Sequence, residues 1–103
     1  MPVHVGDVYT VQGARADKAQ ALKILEEAAE VFSAWEAWED LVKVNEICGD
    51  HEQSESLAVG QLASECADLI TATCGMLAAL GVGAECELWF CRVRNEQRGR
   101  VME

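Results

Sequence analysis

Proline is nearly missing from this chain: the single one, Pro2, stands at the extreme N-terminus. Nothing of that kind interrupts the remaining length, so long helices are free to run. Basic residues are scarce as well, with 8 Lys and Arg against 18 Asp and Glu and a net charge of −10. A protein that grips DNA or RNA by its phosphates needs a basic surface, so nucleic acid is not an expected partner. An acidic protein can still take a triphosphate if divalent cations stand between the two. Only two histidines occur, His4 and His51, and the cysteines (Cys48, Cys66, Cys74, Cys86, Cys91) include no C-x-x-C pair. A zinc site therefore has little support. An odd number of thiols without framework spacing reads as reduced cysteine in a cytoplasmic protein. No signal peptide is visible. The apolar stretch 69–82 is too short for a membrane span and follows directly on Glu65 and Asp68, so no membrane partner is expected.

What is present suits helices. Half of the 103 residues are apolar, and Ala, Leu, Glu and Val dominate. The length implies one domain, residues 17–103, behind an N-terminal arm, residues 1–16. A domain this small buries a limited share of its surface, and many such domains oligomerise. In the arm, Val3, Val5, Val8, Tyr9 and Val11 around the Gly6-Asp7 turn signal suggest a short extended segment or weak hairpin.

A long helix is expected from an N-cap at Asp17 to about Ile47, with Gly49 as its stop; a break near Asp40 is the alternative. Ile24, Ala28, Val31, Trp35, Trp38 and Val42 recur at 4-3-4-3-4 spacing and make one apolar stripe, widened by Leu25, Ala29 and Phe32. Residues 49–56 are polar and read as a loop, with Ser54 or Ser56 as the next cap. A second helix follows over 57–80, its packed face carrying Leu62, Cys66, Leu69, Thr73, Met76 and Leu80, and Gly81 and Gly83 end it. A third helix covers 84–97 with Leu88, Trp89 and Val93. The fold class is thus all-α, a bundle of about three to four helices.

Two acidic patterns interrupt the apolar faces. Glu26-Glu27-Ala28-Ala29-Glu30 puts Glu27 and Glu30 on one helix face, and Glu65-Cys66-Ala67-Asp68 does the same for Glu65 and Asp68. One Glu-x-x-Glu on a helix is usually a solvated face. Here both pairs sit among small or apolar neighbours, on consecutive long helices, and look inward. If the helices pack antiparallel the pairs can meet. Four carboxylates in one site repel, so protons or cations must be present. Magnesium suits an all-carboxylate site. A di-iron centre would add Glu-x-x-His, which neither Glu27 nor Glu65 begins.

Other candidates surround this constellation. Lys23, Glu27 and Glu30 share a face, so Lys23 is either a helical ion-pair partner or a cation for a substrate phosphate. Arg92, Arg94, Arg98 and Arg100 fall within nine residues. They either balance a helix C-terminus or clamp phosphate, with Asn95 beside them. Trp38 returns near the face of Glu27, where it can stack on a base, although a core or interface role is commoner for tryptophan.

The run Lys23-Ile24-Leu25-Glu26-Glu27-Ala28-Ala29-Glu30 with Glu65-Cys66-Ala67-Asp68-Leu69-Ile70 resembles the EExxE…ExxD signature of MazG-like nucleotide pyrophosphohydrolases. The tail Arg94-Asn95-Glu96-Gln97-Arg98-Gly99 is similar to a basic-Asn-x-x-Arg-Gly ending found in several members. The resemblance implies an all-alpha NTP pyrophosphatase-like bundle working as a homodimer or homotetramer. It also implies Mg²⁺-dependent cleavage (with Mn²⁺ as a substitute) of an NTP or dNTP to the monophosphate and pyrophosphate. Glu27, Glu30, Glu65 and Asp68 would hold metal, and Glu26 and Glu27 would serve catalysis, Glu26 by supporting the ligands or orienting the attacking water. Lys23, Trp38, Arg94, Asn95 and Arg98 would meet substrate. The segment between Glu30 and Glu65 is longer than in many members, and the arm has no clear counterpart. Two alternatives stay open: an activity like that of phosphoribosyl-ATP pyrophosphohydrolase, which the run 26–31 and Ala67-Asp68-Leu69 also resemble, and a non-enzymatic helical dimerisation module.

Overall fold

In a computed structural model the backbone is described for residues 1–49 and 52–103, and side chains for all residues outside 50–53. Three helices make up the fold, in chain order α1 (Lys18–Cys48), α2 (Glu52–Leu80) and α3 (Ala84–Gln97). No strand occurs among the described residues. The arm is irregular, closed at its end by a turn in which the Ala14 N–H donates to the Val11 carbonyl at 3.3 Å. Gly13 carries that turn at φ +82°, a conformation glycine adopts without steric cost.

The ends of α1 follow from local chemistry. Asp17 takes extended dihedrals, and its Oδ1 accepts from the Gln20 N–H at 2.9 Å, satisfying one of the helix's orphan donors. Gly49, at φ +98°, terminates the helix, and there is no break at Asp40. The start of α2 departs from expectation. The helix begins at Glu52, so Ser54 and Ser56 lie inside it rather than capping it; residues 50–51 lie outside the described residues. Glu and Gln are good helix formers, and a polar run reads as loop only until another helix packs beside it.

α1 and α2 lie antiparallel, since Gln20 meets Ala72 while Glu27, further along α1, meets Glu65, further back on α2. Among their covered positions a 4-3-4-3-4 series runs along each helix, Gln20, Ile24, Glu27, Val31, Ala34 and Trp38 on α1, and Ala58, Leu62, Glu65, Leu69, Ala72 and Met76 on α2, flanked by further covered residues such as Ala28, Thr71 and Gly75. This is the seam of a coiled-coil pair. It corrects the expected faces. Cys66, Thr73 and Leu80 are exposed on α2, and Glu65 and Ala72 take the places given to Cys66 and Thr73. On α1, Leu25 (64 % exposed), Phe32 and Trp35 also face outward.

One feature of α2 runs against the expectation from the sequence. By length and composition, Ser54–Leu80 is apolar enough to cross a membrane. A mostly buried core helix meets the same criterion, whereas only 11 % of this window is buried in the single chain; Asp68 at mid-bilayer would cost about 2.5–3.5 kcal/mol.

The single chain buries little. Ala72 is the only buried member of the hydrophobic core among the described residues, and no side chain there is fully buried. The accessible surface is 8085 Å², whereas a compact monomer of 11.2 kDa exposes about 5,700 Å².

Candidate metal centre

The seam places a glutamate where a leucine would normally sit, twice. Glu27, 6 % exposed, is the buried charged residue of the described chain. Glu65, half-buried, stands across from it on α2, and Glu30, one turn further along α1, is exposed at the edge. One carboxylate oxygen from each of the three lies within 4.8 Å of the others. Asp68 is exposed and lines the adjoining cleft together with Lys23 and Glu27. Three of the four acids read from the sequence therefore converge, while Asp68 lines the cleft outside the cluster.

Lys23 supplies a positive charge beside the acids. Its Nζ lies 2.7 Å from Glu27 Oε1, one helical turn away. The hydrogen bond from Lys23 holds the Glu27 carboxyl below its ordinary pKa, and the same bond raises the pKa of Lys23. Glu30 shifts the other way. A hydrogen bond shared with the Glu65 carboxyl is the main cause, followed by the negative charge of Glu27, and both favour the protonated acid.

Two oxygens remain without partners. Glu65 Oε1 accepts from Gln61 Nε2 at 2.6 Å, but Glu65 Oε2 and Glu27 Oε2 are buried with no hydrogen-bond donor apart from a proton held on Glu30. Buried acceptors of this kind are costly unless a donor or cation reaches them. Four carboxylates against one lysine leave net negative charge, and hard oxygen donors are what Mg²⁺ or Mn²⁺ takes. The donor set fits such an ion.

The cleft beside the acids has a volume of about 540 Å³. Its other wall comes from the arm, through Val11, Gln12, Gly13 and Ala14. Nothing in the sequence signalled that the arm would stand here.

Several expected site residues lie elsewhere. Glu26 is on the exposed side of α1 and lines no part of the cleft, because one residue along a helix turns the side chain by about 100°. Trp38 lines a separate shallow groove with Trp35, Glu39 and Val42, further along α1 than the acids. Arg94, Asn95 and Arg98 lie at the end of α3 and do not reach the cleft either. Asn95 is engaged locally, donating to the Cys91 carbonyl at 3.0 Å and accepting from Arg100.

The chain matches no protein-family model, and no curated protein or solved structure is significantly similar to it. The functional reading consequently rests on the residues themselves.

Proposed function

We propose that the protein is a divalent-cation-dependent nucleoside triphosphate pyrophosphohydrolase, as the MazG-like resemblance of its acidic motifs implies. The observation that carries this reading is the pair of partnerless buried oxygens, Glu27 Oε2 and Glu65 Oε2, inside a three-carboxylate cluster that opens onto a cleft. Glu27, Glu30 and Glu65 hold the cation, and Asp68 completes the set from the cleft side. A bound Mg²⁺ supplies positive charge against the triphosphate and Lewis acidity at the phosphoryl oxygens. Lys23, 56 % exposed at its side chain, has room to turn from Glu27 to a phosphate once a cation takes its place. A water oxygen bonds to phosphorus at the α–β bridge, the bridging P–O bond breaks, and pyrophosphate departs. The water's proton passes to Glu30 or Asp68, the exposed acids of the cluster. Glu26, turned away, has no direct part in these steps.

The working form is proposed to be a homodimer or homotetramer. The surface in excess of a compact monomer is on the order of 2,400 Å², and a standard interface takes about 800 Å² from each partner. Exposed Leu88, Trp89 and Phe90 on α3 add to the case. Arg94, Asn95 and Arg98 would then meet phosphate from a neighbouring subunit. Five free thiols suit a reducing, cytoplasmic setting.

Purified protein incubated with Mg²⁺ or Mn²⁺ and a panel of NTPs and dNTPs should release pyrophosphate and a monophosphate. Absence of release from every substrate, with a melting midpoint indifferent to millimolar Mg²⁺, would favour the helical dimerisation module. Cleavage of phosphoribosyl-ATP alone would favour that narrower activity.

A further inference from the structure

Displacing Trp38 from the site leaves the nucleoside end of a substrate without a partner, and the cleft supplies one. We propose that the uncharged end of the cleft, lined by arm residues 11–14 with Gln20, Ala72 and Gly75, is the slot that receives that end of the substrate, with Gln20 Oε1 hydrogen-bonding a donor on the base. This assignment rests on the pyrophosphohydrolase reading of the adjoining acids.

The cleft is sorted along its length by the antiparallel register of α1 and α2. Lys23, Glu27 and Asp68 give it a charged end beside the carboxylate cluster. Further back along α1 and forward along α2, the lining is uncharged: Val11, Gly13, Ala14, Gln20, Ala72 and Gly75. A ligand with a polyanionic end and a neutral, flat end matches that sequence of surfaces. The volume of about 540 Å³ falls within the range in which small molecules are held.

Gly75 lets the arm pack closely on α2 and so closes the slot at its back. A Cβ at this position would stand 3.3 Å from Gln20 Nε2 and 3.8 Å from the Ala14 Cβ. The arm thus lies about one side-chain layer from the helix backbone, and any side chain at residue 75 would press on Gln20. Gln20 itself is oriented without ambiguity. Its amide is 2.9 Å from the Ala72 carbonyl, which can only accept, so Nε2 faces Ala72 and Oε1 remains as an acceptor. A fixed acceptor selects ligands that present an N–H, such as an exocyclic amine or a ring imino group.

The test uses the full-length protein with Mg²⁺, titrated calorimetrically with two kinds of probe. One is the set of α,β-methylene analogues of ATP, GTP, CTP and UTP; the other is inorganic tripolyphosphate, which lacks a nucleoside. Wild type should bind at least one nucleotide about tenfold or more tighter than tripolyphosphate. Val11→Trp, at a site 75 % exposed and so without consequence for folding, should fill the slot and lower nucleotide affinity about tenfold. Gln20→Ala should do the same for the nucleotides that offer an N–H. Both variants should bind tripolyphosphate as wild type does, which also certifies their folding. Unchanged nucleotide affinity in both variants would overturn the slot, as would equal affinity of wild type for nucleotide and tripolyphosphate. If wild type binds neither probe, the triphosphate reading of the acids falls and the slot with it.

Discussion

The α1–α2 seam and helix α3 make opposite use of charge. In the seam, Glu27 and Glu65 are drawn into a covered place beside the exposed Glu30 and Lys23, and each keeps one oxygen without a donor. On α3, arginines are clustered in the open, and Trp89, Phe90 and Leu88 stay exposed beside them. The seam is a concave site looking for positive charge, and α3 is a convex surface looking for a partner. In the function proposed above the two are met by different means: a cation for the first, another subunit for the second.

That contrast is open to attack at several points. The largest effect is expected in the seam. Glu27→Gln and Glu65→Gln should each lower Mg²⁺-dependent pyrophosphate release by at least about 100-fold and abolish the rise in melting midpoint that Mg²⁺ produces; either variant behaving as wild type would remove the cation site. Next is assembly. Trp89→Glu with Phe90→Glu should weaken self-association about 30-fold, read by light scattering across a dilution series, and a wild type that is monomeric throughout would refute the reading of α3. A smaller effect links the two regions. Arg94→Gln with Arg98→Gln should raise KM about tenfold while leaving the melting midpoint in place; an unaltered KM would confine these arginines to charge balance at the helix end.

The pH dependence of the metal-free protein is more modest and has a defined sign. Glu30 keeps its proton above the ordinary carboxylate range, held by Glu65, so stability declines as pH rises through that range to the raised value. Glu27 is depressed by Lys23, so its contribution is present above the ordinary value and lost as pH falls through the lowered one. The midpoint should therefore pass through a maximum in weak acid. Glu30→Gln should remove the decline on the alkaline side, as should saturating Mg²⁺; a flat profile in wild type would contradict the shared proton. At the foot of the scale, Arg92→Gln breaks an exposed one-turn pair with Glu96 at 3.0 Å and should shift stability by no more than about 0.5 kcal/mol, measured by urea titration.

Much of this was legible in the residues. Asp17 and Gly49 announced both ends of α1, because capping is local chemistry. The acid pairs announced their faces, because spacing of three on a helix is geometry. The register of α2 was harder. Cys66 and Thr73 look more apolar than Glu65, so a stripe drawn by hydrophobicity passes one residue to the side of the true seam. The error and the site have one cause: a glutamate at a core position defeats a hydrophobic pattern for the reason that makes it chemically useful. The arm was not legible at all, since its placement against α2 depends on tertiary contact at Gly75 rather than on its own composition.

The glutamates also set how well this zipper closes. Two missing teeth sit in an otherwise regular row, and in the proposed function like charge weakens the contact at that level until an ion bridges it. Refilling it with Glu27→Leu and Glu65→Leu should yield a stiffer, more heat-resistant hairpin that ignores magnesium. On that reading, weakness at the level of the acids is the condition under which a dissolved ion can act as the missing rivet.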